Sequence, residues 1–181
     1  MRRGRWGYDV FWLVLIGVLV SVPFPWETHR SAARRRLAEW LRQMTDARVE
    51  FTVSALRDQA SMRLWRGTVV YRNGRARQIQ MTRQIADLPA EFVRWEGRLL
   101  TFWQQLPARL RAVIHIGWGR PADVWEVRIR DTESWVRVPY PRTSWLEHLN
   151  IHFVDTHPPL EIQIVPRTGP PVTVTLTVRR P

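Results

Sequence analysis

The side chains most able to do chemistry in this chain are histidines clustered near its C-terminal end: His148, His152 and His157, with Asp155 between the last two. On a strand, His148 and His152 stand about 13 Å apart at ~3.3 Å per residue, too far to share one metal ion. His152, Asp155 and His157 converge only if a turn follows His152, and turn-proximal polar residues are common without metal, so no metal site is expected. Glu126, Arg128 and Arg130 alternate with Trp125, Val127 and Ile129, the pattern of a solvated strand face rather than of an acid/base pair. The sequence holds no phosphate-binding glycine loop, no dinucleotide fingerprint, no serine-hydrolase elbow and no zinc-protease helix motif. With no cysteine, disulfides, thiolate metal sites and a cysteine nucleophile are excluded together. The expectation is a non-enzyme without a cofactor.

Binding chemistry has one candidate stretch, RLWRGTVVYRNGRARQ from Arg63 to Gln78, where Trp65 and Tyr71 interleave with five arginines. Stacking on aromatics beside phosphate-binding cations is how single-stranded nucleic acid is held. Basic hairpins of exported proteins have the same composition, and nucleic acid is the weaker partner class here. The 28 basic residues are all arginine and face 16 acids. From Ala47 onward there are 20 arginines and 12 carboxylates, enough positive charge to attract lipid head groups, anionic glycans or nucleic acid, without choosing among them.

The elements that would position these residues begin with an apolar run. Residues Val10 to Trp26, VFWLVLIGVLVSVPFPW, carry no charge and follow Arg2, Arg3 and Arg5. As a helix the run is about 25 Å long, and Tyr8, Trp12 and Trp26 can extend it at the interfaces of a ~30 Å hydrocarbon core. The reading is a short basic cytoplasmic tail (1–9) and a transmembrane signal anchor (10–27), with the rest of the chain outside the cytoplasm of a single-pass membrane protein. The competing reading is a cleaved secretory signal, against which stands the lack of a small-x-small site around Pro23 to Trp26.

Over 28–46, Ser31 is positioned to cap an amphipathic helix in which Leu37, Trp40, Leu41 and Met44 recur at helical spacing. The period then changes to two: Val49, Phe51, Val53 and Ala55 alternate with polar residues. Further strands are expected at 61–71, 76–83, 91–95, 99–103, 124–130, 135–138, 148–154, 160–165 and 172–178. Turns at Asn73-Gly74, Glu96-Gly97 and 155–159 separate them, and Pro107 opens a short helix over 104–112. The fold class is α+β: one transmembrane helix, then an antiparallel half-open β-barrel of about ten strands (47–181) with covering helices. Two short helices are little cover for such a sheet. Its apolar face either encloses a cavity or is filled by bulk from Trp65, Trp95, Trp103, Trp125 and Trp135.

The order of elements in RLAEWLRQMTDARVEFTVSA, LWRGTVVYRNGRARQIQM and EFVRWEGRLLTFW resembles the periplasmic lipoprotein-carrier (LolA-like) superfamily. In that resemblance Gly67 to Tyr71 matches a glycine strand, Glu96-Gly97 a later hairpin, and Pro139, Leu149, Ile151, Phe153, Ile162, Ile164 and Gly169 the C-terminal strands. It implies a half-barrel whose concave apolar face takes acyl chains, with Trp40, Phe51, Val53, Trp65, Trp95, Ile151, Phe153, Ile162 and Ile164 lining the pocket. It also implies a lid or head-group arginine, nearest to which stands Arg72. The functional expectation is a membrane-anchored, non-catalytic binder of lipid acyl chains or a lipidated partner. The alternative is a structural or assembly subunit of an envelope machine such as a pilus or secretion apparatus.

Overall fold

The computed structural model describes residues 25–57, 59–115, 124–155 and 158–179. The expected tail and nearly all of the expected anchor lie outside the described residues. Among the described residues no helix is long and apolar enough to cross a membrane.

The domain is α+β: an open, eight-stranded antiparallel sheet with two helices. The elements in chain order are α1 (Pro25–Gln43), β1 (Arg48–Arg57), β2 (Ala60–Arg72), β3 (Arg75–Arg83), a 3₁₀ turn (Ala90–Phe92), α2 (Trp95–His115), β4 (Trp125–Arg128), β5 (Glu133–Pro139), β6 (Leu146–Val154), β7 (Glu161–Pro166) and β8 (Val172–Arg179). In space the strands run β3-β2-β1-β8-β7-β6-β5-β4. Two meanders, β1 to β3 and β4 to β8, are thus joined where β1 pairs with β8, Val49 opposite Val178 and Val53 opposite Val174.

That pairing puts β3 and β4 at opposite edges, so the chain between them must cross the sheet. Seven strand spacings of ~4.8 Å make a width of about 34 Å. α2, at 21 residues, is about 32 Å long and lies along β3, with Glu96 of its first turn bonded to Arg83 at one end of that strand and Arg111 near its last turn bonded to Gly74 just before the other. α1 packs against α2 and against β4, completing the cover.

Two expected strands, 91–95 and 99–103, belong instead to the 3₁₀ turn and to α2, so the described residues form eight strands and not ten. Trp95, Leu99, Phe102, Leu106, Leu110 and Val113 are buried at spacings of three and four along one helix face, a period that short windows of aromatic and apolar residues disguise as alternation. Glu96-Gly97 is the first turn of this helix rather than a hairpin turn. Glu96 suits the positive helix end and bonds Arg83 at 2.7 Å, and a Cβ on Gly97 would meet nothing within 4 Å. Nor does Pro107 open a helix; it sits inside α2. Likewise Ser31 lies within α1, because Pro25 already provides a helical first turn and no breaker follows it.

A proline inside a helix withholds the N–H that would bond the carbonyl four residues back. Here that carbonyl belongs to Trp103, and the buried Tyr71 hydroxyl of β2 donates to it at 3.1 Å. The strand thereby satisfies the acceptor that the proline strands, and burial pushes the Tyr71 phenol well above its ordinary pKa. Gly67 is similarly obligatory: opposite Phe51 in the register, a Cβ there would stand 2.6 Å from the phenyl Cζ and 2.3 Å from the Gln80 carbonyl oxygen.

Tyr71→Phe should cost about 1–3 kcal/mol by orphaning the Trp103 carbonyl. In a Pro107→Ala background, where the helical N–H is restored, the same change should cost clearly less. Urea unfolding of the four proteins of this double-mutant cycle measures the coupling, and additive losses would mean that the hydroxyl does not compensate for the proline.

Candidate functional site

One continuous apolar cluster lies between the sheet and the helices, and all nine expected pocket residues are in it. Phe51 and Val53 enter from β1, Trp65 from β2, Ile151 and Phe153 from β6, Ile162 and Ile164 from β7, and Trp40 from α1. Trp95 comes from the first turn of α2 rather than from a strand. None is more than 2% exposed. The strand alternation makes this possible, since inward residues of neighbouring strands pair directly: Ile151 with Ile162, Leu149 with Ile164, Ile162 with Val174.

Aromatic rings fill the middle. Phe51 and Trp103 lie 4.9 Å apart between centroids, Phe102 meets Trp103 edge-on at 5.0 Å, and Trp40 meets Phe153 edge-on at 6.2 Å. Trp145, a residue the sequence reading did not single out, meets Trp95 edge-on at 5.5 Å with the Arg98 guanidinium over its ring. Two tryptophans expected as core bulk are elsewhere. Trp125 lies beneath the Arg30 guanidinium, 4.5 Å from its ring centre. Trp135 faces outward and stacks on His152 at 4.6 Å.

The indole N–H groups of Trp40, Trp65, Trp95 and Trp103 are all buried, and none has a hydrogen-bond acceptor among the described residues. Tryptophan normally finds a partner for this donor when buried, and each orphan costs about 1–3 kcal/mol. Four of them in one cluster give an otherwise apolar interior an unused donor capacity.

One edge of the cover is fastened by charge. The Glu126 carboxylate, expected on a solvated face, is fully buried and accepts from Arg36 Nε of α1 at 3.1 Å. The β4 register sets this: Glu126 pairs with inward Val136, while Val127 pairs with outward Trp135. Arg36 also donates through Nη1 to the Asp155 carbonyl. At the other end the β2–β3 turn, with positive φ at Asn73 and Gly74, is held by Arg111 of α2, which donates to the Gly74 carbonyl at 3.1 Å. Arg72 is exposed at the end of β2, and this hairpin is joined to α2 by Arg111 at its turn and by the Arg83–Glu96 pair at the end of β3.

No protein-family model and no curated protein matches this chain.

The remaining sequence candidates separate. His148 and His152 lie on the outer sheet face, His148 between Arg137 and Glu147; burial first, and then the Arg137 charge, lowers its pKa below the ordinary histidine value. His157 lies outside the described residues, and among the described residues no three histidines or carboxylates gather as a metal site would require. In the Arg63 to Gln78 stretch, Trp65 and Tyr71 point inward and are fully buried while Arg63, Arg66, Arg72, Arg75 and Arg77 are exposed. The aromatic and basic halves of that pattern face opposite ways.

Replacing Glu126 by Ala should destabilise the domain by about 3–5 kcal/mol, because it strands a mostly buried guanidinium. The paired replacement Arg36→Met with Glu126→Leu should restore most of the loss. Thermal unfolding of the parent and the two variants is the measurement; a Glu126→Ala protein as stable as the parent would show that the pair does not fasten α1.

Proposed function

We propose that this is a membrane-anchored, extracytoplasmic, non-catalytic domain that binds the acyl chains of a lipid or lipidated partner between its sheet and its helices, in the manner of a LolA-like half-barrel. The observation that carries the reading is the set of four indole N–H groups within the apolar cluster that have no acceptor among the described residues. A core built only to be packed favours side chains without polar atoms, or indoles whose N–H reaches a partner. Ester or amide carbonyls of an acylated ligand supply the acceptors, and its chains match the aliphatic and aromatic lining. Because the lining residues are closed over, the ligand enters by displacing a helix. α1 is the element to move, with its apolar stripe of Ala33, Leu37, Trp40 and Met44 in place of which a chain would lie. The anchor over residues 10–27 belongs to this proposal and would hold the domain beside its lipid source.

A second reading, the assembly subunit of an envelope machine, is favoured by one feature. Among the described residues β4 is the last strand of the sheet, and Val127 within it and Ile129 just after it are 60% and 56% exposed. Exposed apolar side chains on an edge strand suit the docking of a partner.

Native mass spectrometry of the full chain purified from membranes, followed by solvent extraction, separates the two. Stoichiometric phospholipid or acylated peptide, lost when Ile162 is replaced by Asp in a variant that still folds, is the expected result. A lipid-free mass together with a stoichiometric protein partner retained through detergent would favour the assembly reading.

A further inference from the structure

The opposite face of the sheet carries a second surface, distinct from the acyl site. Where β3, β2, β1 and β8 lie side by side, two adjoining shallow cavities of about 340 and 410 Å³ open on the outer face and share Glu50, Arg66 and Gln84 in their linings. The register aligns their polar side chains in rows across the strands. One row runs Thr82, Arg66, Thr52, Thr175 and the next Gln80, Thr68, Glu50, Thr177. Strands ~4.8 Å apart repeat these donors at about the length of one sugar ring in a linear glycan, and rows two residues apart lie about 7 Å from each other.

Charge gives the surface its sign. Arg48, Arg63 and Arg66 line the cavities, and among the described residues none of the three has a carboxylate within ion-pair distance. The carboxylate in the lining, Glu50, is paired with Arg179 at 3.3 Å. The guanidinium fork matches a planar carboxylate, and threonine hydroxyls and glutamine amides match alcohol groups. Base stacking has no platform here, because Trp65 and Tyr71 of the same hairpin are buried on the other face. A membrane surface would read charge alone and leave the ordered hydroxyl rows unused.

We propose that this outer face binds a linear uronic-acid polysaccharide, its carboxylates on Arg63 and Arg66 and its hydroxyls on the threonine rows. The test uses the full-length chain in zwitterionic detergent at physiological ionic strength, titrated by calorimetry with a galacturonic acid decamer, its methyl ester, a thymidine 20-mer, and micelles containing phosphatidylglycerol. The uronate decamer should bind tightest and the methyl ester at least about tenfold more weakly, as expected for loss of charge-assisted hydrogen bonds. Arg63→Gln with Arg66→Gln should weaken uronate binding by about tenfold or more, while Arg94→Gln with Arg142→Gln, exposed arginines away from this face, should not. Thr52→Val with Thr175→Val keeps β-branched side chains in the strands and should lower uronate affinity severalfold without changing any binding of phosphatidylglycerol. Equal affinity for the decamer and its ester, tighter binding of the thymidine oligomer or of the anionic micelles, or equal loss in the two arginine pairs would each overturn the proposal. The acyl site is untouched by these variants, so lipid co-purification reports on it separately.

Discussion

The pairing of β1 with β8 is the constraint on which the rest depends. It closes two meanders into one sheet, and by doing so it sends β3 and β4 to opposite edges. The connection between them includes α2, which lies along β3 and buries its own stripe against the apolar face. α1 then covers what remains near β4. One antiparallel ladder therefore decides where both helices lie, which face of the sheet becomes interior, and which tryptophans meet there.

Two helices over eight strands leave a wide space to fill, and aromatic rings fill it. The same choice brings polar atoms inward. Tyr71 resolves its hydroxyl against the carbonyl exposed by Pro107, whereas the four indoles have no such partner among the described residues. Burying polar groups without partners opposes folding, and the apolar cluster around them supplies the compensating burial. This contrast between a phenol that is answered and indoles that are not is the observation on which the proposed acyl-ligand reading rests.

Strand alternation was legible where one face is wet and the other dry. Val49 to Ala55, Leu149 to Phe153, Ile162 to Ile164 and Val172 to Val178 all face inward as their period of two implies. α2 was not legible, because a short window around Trp95 or Leu99 to Trp103 holds too few buried positions to show their spacing of three and four, and Gly97 and Pro107 carry turn signals that the helix tolerates at its exposed start and through the Tyr71 bond. Glu126 was unreadable for another reason: the alternation of β4 is equally consistent with either face inward, and only its pairing with β5 and the arrival of Arg36 decide which. Trp125 and Trp135 were placed in the core by size alone, although their strand register turns Trp135 outward onto His152. Type and spacing thus specified the sheet's inner face well and its cover poorly, since the cover is set by contacts distant in sequence.

The central claim concerns the four interior indoles, and their N–H resonances report on it directly. Tryptophan-¹⁵N-labelled chain would be followed by two-dimensional proton–nitrogen spectroscopy during titration with a myristoyl lysophospholipid. The account predicts that the signals of Trp40, Trp65, Trp95 and Trp103, assigned by single Trp→Phe variants, move downfield together as their donors gain carbonyl acceptors, while Trp135 on the outer face stays in place. Interior indoles that remain unmoved at saturating lipid, with only the outward tryptophans responding, would contradict it.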